Sequence, residues 1–125
     1  VLLYVNQVCA PISLDKDKGL TASMVNNYVK HGYLTKPDKK KYQRQQIARL
    51  IAITTLKSVF SIQEIAQTLN TLQSQASSDQ LYDAFVDYMN QGIDPANPII
   101  QSSCQTVKLY HQTLALIHRT QEEEI

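Results

Sequence analysis

The chain has 125 residues, of which 43% are hydrophobic and 18% charged, and its formal net charge is +1 at pH 7. These values are ordinary for a globular domain with its own core and exclude a collagen-like or low-complexity chain. No apolar run approaches the ~20 residues that span a bilayer, and no signal peptide is evident, so we expect a cytoplasmic protein. Because the sequence begins with Val1 rather than Met, we expect residues to precede it in the natural chain.

Charge is distributed unevenly along the chain. Residues 1–57 contain ten bases and three acids, a net charge of +7, whereas residues 58–125 contain two bases and eight acids, a net charge of −6. Positive charge gathered in one half indicates a nucleic-acid partner, and the acidic half would be repelled by phosphate. We therefore predict a DNA-binding region over residues 1–73 and a helical C-terminal region over residues 74–125, for core completion or dimerisation.

The predicted elements begin with two helices. A near-helical apolar spacing predicts a short helix over residues 1–12. A second helix follows a polar loop, with Thr21 as its N-cap and Gly32 as the residue that ends it. Pro37 disfavours helix, so residues 33–42 should form a loop or a tiny hairpin.

Four more helices should follow. One begins near Gln43 and carries an apolar face that ends near Phe60. The next starts at the capping box of residues 61–64, Ser first and Glu three positions later. Ser78 or Asp79 should cap another helix, which Gly92 closes. The last should run from about Pro98 to Gln121. No segment alternates as a strand does, so the predicted fold class is all-α.

The second helix has a polar face suited to reading DNA bases. Opposite its apolar residues lie Ser23, Asn26, Asn27, Lys30 and His31. Asn can pair with adenine through two hydrogen bonds, and Lys can reach guanine or phosphate. The alternative is a solvated polar face, which most amphipathic helices have.

A lysine-rich loop strengthens this interpretation. Lys39, Lys40 and Lys41 precede Tyr42 and Arg44, so the loop could hold phosphates beside the groove. A solubilising loop is the alternative, and Tyr28 and Tyr42 could equally be packing anchors. The residues predicted to contact DNA are Thr21, Ser23, Asn26, Asn27, Tyr28, Lys30, His31, Lys39, Lys40, Lys41, Tyr42 and Arg44.

Four segments in this order resemble the winged helix-turn-helix of MerR-type transcription regulators: NYVKHGYL (27–34), PDKKKY (37–42), IARLIAITTLK (47–57) and FSIQEI (60–65). LYVNQV (3–8) and LTASMVNNYVK (20–30) bring the chain closer to an uncharacterised bacterial family, known only as a domain of unknown function with a MerR-type DNA-binding domain. The resemblance covers about the first 70 residues. It implies a winged helix-turn-helix with a very short wing, whose recognition helix spans residues 21–32.

The chain also departs from the MerR pattern. The wing has no Gly between Pro37 and Tyr42, and lysines replace the usual Arg-Tyr pair. The C-terminal region lacks a Cys-rich metal loop, so metal sensing is not implied. Cys9 and Cys104 lack metal-site spacing, and half-buried thiols are the simplest interpretation, with a redox or metal sensor or a disulfide as alternatives. His111 and His118, seven residues apart, do not have the spacing of a helical metal pair, so no metal site is expected.

The acidic C-terminal helices leave three alternatives: a cap that completes the core, a dimer interface, or a small effector pocket near Tyr82, Tyr88, Tyr110 or His111. No enzyme motif occurs in the sequence. We therefore expect a non-enzymatic, cofactor-free transcription regulator that binds double-stranded DNA sequence-specifically, as a homodimer, and is nucleoid-associated when bound. One alternative is a helical protein-interaction module that has lost DNA binding and binds a basic partner. Another is a ligand-binding sensor or enzyme.

Overall fold

A computed structural model describes Tyr4, residues 20–38 and residues 41–123. This part of the chain forms five helices, α1 (Ala22–Lys30), α2 (Arg44–Leu56), α3 (Ile62–Gln73), α4 (Ser78–Gln91) and α5 (Pro98–Glu123). No strand occurs in these residues, and a single antiparallel bridge joins Asp38 to Lys41. The predicted all-α class is therefore confirmed for the described residues. Of the helix predicted over residues 1–12, only Tyr4 is described, in a helical conformation, and the rest lies outside the described ranges.

Local capping signals account for where the helices begin. The hydroxyl of Thr21 accepts a hydrogen bond from the Met24 N–H at 3.2 Å, as predicted for α1. The capping box before α3 is also confirmed, because the N–H of Ser61 and the carboxylate of Glu64 lie 2.9 Å apart and the reciprocal bond is 3.1 Å. The hydrogen bonds from Ser61 hold the pKa of Glu64 below its ordinary value.

The predicted cap of α4 is wrong by one or two residues. Ser77, not Ser78 or Asp79, is the N-cap, and it forms a capping box with Gln80 through two hydrogen bonds of 3.3 Å. A Ser followed three positions later by Gln satisfies two backbone N–H groups at once, whereas an N-cap at Asp79 would satisfy only one such group. Asp79 instead lies in the first turn, where its negative charge interacts favourably with the positive end of the helix dipole.

The ends of the helices agree with the sequence in most cases. Gly32 follows α1 and Gly92 ends α4, with φ of +77° and +69°, in the left-handed conformation that glycine adopts at little cost. Helix α2 ends at Leu56, and the residues up to Phe60 form a turn rather than more helix. Helix α5 continues to Glu123, slightly beyond the predicted end.

Three groups of buried side chains form the core. One joins α1 and the loop after it to α2, and consists of Leu20, Val25, Leu34, Leu50 and Ile51. Another joins α2 and α3 to α5, and consists of Ile53, Leu56, Ile65 and Val107. The last joins α3, α4 and α5, and consists of Leu72, Tyr88, Ile100 and Cys104. Each fully buried Leu or Ile contributes about 1.5–3 kcal/mol to folding.

The three groups are continuous because three half-buried side chains each touch two of them: Tyr28, Phe85 and Met89. The two last helices therefore pack directly on α2 and α3 and complete their core. None of the helices in the described residues is long and apolar enough to cross a membrane.

Only the N-terminal part of α5 is buried. Its buried residues end at Val107, and beyond it Leu114 is half-buried. Four other large apolar side chains there are 40–61% exposed: Leu109, Tyr110, Leu116 and Ile117. In the same part of α5, the hydroxyls of Thr113 and Thr120 donate to the carbonyls of Leu109 at 2.8 Å and Leu116 at 2.9 Å, one turn earlier.

Candidate nucleic-acid interface

Helix α1 is attached to the core along one side. Val25 is buried, and Met24, Tyr28 and Val29 pack against the core residues of α2 and of the loop after α1. These four positions recur at the spacing of one helical face. The side chains of the opposite face are therefore turned away from the core.

The opposite face is polar and exposed. Ser23, Asn26, Asn27 and Lys30 are all exposed, and at about 100° per residue they share an arc of about 100° around the helix. Hydroxyl, amide and ammonium groups together offer both donors and acceptors, which is what the edges of base pairs require. The structure thus brings four of the predicted contact residues onto one surface, which we call the α1 polar face (Ser23, Asn26, Asn27 and Lys30).

The residues at the two ends of α1 have structural roles as well. Thr21 is exposed, but its hydroxyl caps the helix. The Nδ1 of His31 lies 2.9 Å from the carbonyl oxygen of Asn27, a geometry in which the ring N–H donates, and the ring stacks on Tyr33 with centroids 6.1 Å apart. This leaves Nε2 as the other polar atom of the His31 ring.

Tyr28 and Tyr42 are half-buried packing residues. Tyr28 contacts two of the core groups, and burial raises the pKa of its hydroxyl, so the phenol stays neutral. Tyr42 packs against the core beside α1 and α2. For both, the structure favours the packing alternative that the sequence left open.

The lysine loop is described only at its edges. Asp38 and Lys41 close it, with the Lys41 N–H donating to the Asp38 carbonyl at 2.8 Å, and the Lys41 side chain is exposed. The predicted contacts Lys39 and Lys40 lie outside the described residues.

Arg44 has an acidic neighbour. Its Nε lies 3.7 Å from a carboxylate oxygen of Asp79, and both side chains are mostly exposed. Such a surface pair contributes less than about 1 kcal/mol. It nevertheless places a negative charge from α4 beside a residue predicted to contact phosphate.

Arg49 is a structural residue of the site that the sequence did not identify as such. Its Nε donates to the carbonyl of Tyr33 at 2.7 Å, and a terminal nitrogen donates to the side-chain oxygen of Asn70 at 3.2 Å. Burial lowers the pKa of its guanidinium. Arg49 therefore joins the residue after the α1 turn to both α2 and α3.

Gln46 holds the next part of the same loop, and it was not among the residues predicted from the sequence. It is buried, and its amide donates to the Thr35 carbonyl and hydroxyl, both at 2.9 Å, and to the Lys36 carbonyl at 3.1 Å. Its oxygen accepts from the Gln43 N–H. A polar residue on the apolar face of a predicted helix was the only available signal, because its partners are 10–11 residues away in sequence.

The structure also bears on the two cysteines and on the metal site considered from the sequence. Cys104 is fully buried rather than half-buried, and burial raises the pKa of its thiol to about 11, which makes it a poor nucleophile at neutral pH. Cys9 lies outside the described residues. Within the described ranges, no three His, Cys, Asp or Glu side chains gather as metal ligands do.

The four residues suggested for an effector pocket do not line one cavity. Tyr82 lines a cavity between the helices, whereas Tyr88 is buried in the core beneath the ammonium of Lys108, 4.7 Å from its ring centroid. Tyr110 is exposed and meets the ring of His111 edge-on at 5.3 Å. Of these four residues, Tyr82 alone is among those that line this cavity.

Comparison with known proteins gives one match. Neither the curated proteins nor the solved structures include a significant match to the chain. The model of the family described as "Domain of unknown function (DUF1836)" matches residues 1–85, which contain the α1 polar face, the lysine loop, α2 and α3. This match covers more than half of the chain and agrees with the resemblance to a family known only as a domain of unknown function. The chain therefore belongs to the DUF1836 family.

Proposed function

We propose that this protein is a sequence-specific DNA-binding transcription regulator of the MerR-like, winged helix-turn-helix type. Helix α1 would enter the major groove, and the lysine loop would act as a very short wing that holds flanking phosphates. The observation that carries the proposal is the α1 polar face, which is exposed on a helix whose other side is fixed to the core.

The clamps behind α1 support this role. Reading bases requires a helix held in a defined position, because hydrogen bonds to base edges tolerate little displacement. Arg49 binds the loop at Tyr33, and Gln46 binds it at Thr35 and Lys36. A merely solvated polar helix would not need its following loop to be held by two partly buried polar side chains.

The exposed part of α5 supports a dimer. Tyr110 and Ile117 are exposed and, with the half-buried Leu114, recur at the alternating spacing of a coiled-coil seam. Leu109 and Leu116 extend the apolar surface by about 100° around the helix from Tyr110 and Ile117. Two copies joined through this surface would present two α1 helices to successive major grooves, which is how dimeric helix-turn-helix proteins bind inverted repeats.

A second candidate function is binding of a basic protein partner. Asp79, Asp83 and Asp87 are exposed on α4 at intervals of four residues and form an acidic stripe along one side of the helix. The charge of this stripe suits a basic partner and repels DNA. This interaction-module alternative requires no contribution from the α1 polar face.

The test is binding of the purified protein to random duplex DNA across a salt series, followed by selection and sequencing of the bound DNA. We expect affinity to fall steeply with salt, since Lys and Arg contacts to phosphate release counterions, and we expect one inverted repeat to be enriched. No binding at low salt would overturn the proposal and favour the protein partner. Salt-dependent binding without sequence enrichment would contradict the base-reading role of α1.

A further inference from the structure

An apolar cavity of about 70 Å³ lies where α2, α3, α4 and α5 meet. Its walls are mainly aliphatic and aromatic, and include Ala48, Ala52, Leu69, Tyr82 and Phe85. About 10–15 Å³ accommodates one water-sized group, so the cavity has room for several.

The cavity is open to solvent on one side. Gln45 of α2 and Gln73 of α3 both line it, and both are exposed. A small molecule can therefore enter between these helices without unfolding of the core.

One cation lines the cavity, and no acidic residue is among the lining residues that are described. This cation is Arg49, whose described hydrogen bonds go to a carbonyl and to an amide oxygen, both neutral acceptors. A guanidinium has five N–H donors, and these two bonds use only two of them. Because burial lowers the pKa of Arg49, an anion at this position would relieve the cost of a partly buried, unbalanced charge.

From this geometry we propose that the cavity is a binding site for a small carboxylic acid with an apolar body, with the carboxylate at Arg49 and the body against Ala48, Ala52 and Phe85. An apolar pocket with one or two placed polar groups is the usual form of a small-molecule site. The proposal concerns ligand binding alone and does not depend on whether the protein binds DNA.

The site has a direct connection to the α1 region. Arg49 donates to the carbonyl of Tyr33, immediately after the turn that ends α1. A carboxylate that pairs with the remaining donors of Arg49 would hold the guanidinium in place and reduce the mobility of this contact. Ligand binding should therefore be detected at the amides of Tyr33 and Leu34 as well as inside the cavity.

The test is titration of the full chain with propionate and with butyrate, followed by amide chemical shifts. The matched control ligand is butyramide, which has the same carbon chain without the charge. We expect saturable shifts at cavity residues and at Tyr33, and a preference for butyrate of about tenfold or more over the amide, as for a charge-assisted hydrogen bond. No saturable binding of either acid, or equal binding of butyrate and butyramide, would overturn the proposal.

Substitutions at two positions separate binding from folding. Arg49→Lys keeps the positive charge and should retain a preference for the acid, whereas Arg49→Gln should abolish it. If the loss of Arg49 contacts prevents folding, Ala52→Leu serves instead, because Leu is a good helix former and fills the cavity. Binding that persists unchanged in folded Ala52→Leu would place the ligand elsewhere and contradict the assigned site.

Discussion

Single residues in this structure show how burial changes side-chain chemistry. Cys104 has become a packing residue whose thiol stays protonated, and Tyr28 is a neutral phenol between two parts of the core. His111 is the residue for which burial has a consequence near neutral pH. Among the described residues its Nδ1 is buried without a hydrogen-bond partner, and its Nε2 lies 3.5 Å from the hydroxyl of Ser58.

Burial lowers the pKa of His111, so protonation should destabilise the protein. The unfolded chain binds the proton at about pH 6.5, whereas the folded chain binds it only at lower pH, so stability is lost as pH falls below about 6.5. We expect the melting temperature of His111→Gln, measured by thermal unfolding, to fall less between pH 8 and pH 5.5 than that of the parent protein. His118→Gln is the matched control, since His118 is exposed on the same helix. Equal losses in parent and His111→Gln would contradict this prediction.

At the scale of single elements, α1 has two faces with separate roles. The buried face fixes the helix, and the α1 polar face remains exposed. Because the exposed side chains make few contacts, their substitution should alter binding without altering stability. The two kinds of contact, to bases and to phosphates, can therefore be distinguished by mutation.

We expect Asn26→Ala or Asn27→Ala to relax base preference by about 1–3 kcal/mol for each paired contact that is lost. Lys41→Ala, or joint replacement of Lys39, Lys40 and Lys41, should weaken binding to all sequences and reduce the salt slope by about 0.9 per lost phosphate contact. Binding to the selected operator and to random DNA over a salt series measures both effects. If either class of variant changes only the melting temperature, the assignment of that class is wrong.

The loop after α1 depends on α2 for its position. We expect Gln46→Ala to destabilise the protein by about 1–3 kcal/mol, because it leaves the carbonyls of Thr35 and Lys36 without their donor. Denaturant unfolding measures this change. Gln45→Ala is the control, since Gln45 is the exposed neighbour on the same helix and its loss should cost little. A similar stability for the two variants would show that the loop does not need the clamp.

For the molecule as a whole, the helices and their caps were more predictable than the connections between them. Thr21, Ser61 and Gly92 act on backbone groups within one turn, so short motifs located three of the helix ends. The contacts of Gln46 and Arg49 join residues 10 to 21 positions apart. Their presence depends on how α2 meets the loop and α3, which no local pattern specifies. The cavity was missed for the same reason, because four helices contribute to it.

At this scale the exposed end of α5 leads to a prediction about assembly. Leu116→Glu with Ile117→Glu should convert a dimer to a monomer, because each Glu would place a charge in the apolar contact. Light scattering after size-exclusion chromatography measures the mass. Ala115→Glu, about opposite this surface on the helix, is the control and should remain dimeric. A parent protein that is monomeric at micromolar concentration would contradict the prediction.

The hydrogen bonds of Thr113 and Thr120 have a consequence for what can cover the end of α5. Both residues lie between Leu109 and Ile117 on the helical wheel, so by composition this surface contains two alcohols among its aliphatic groups. Their hydroxyl protons, however, are already donated to carbonyls of the same helix, which leaves the methyl groups as the part of each side chain that a partner would contact. A second protein surface could therefore exclude water here without providing acceptors, and Thr→Val at both positions should leave its affinity almost unchanged.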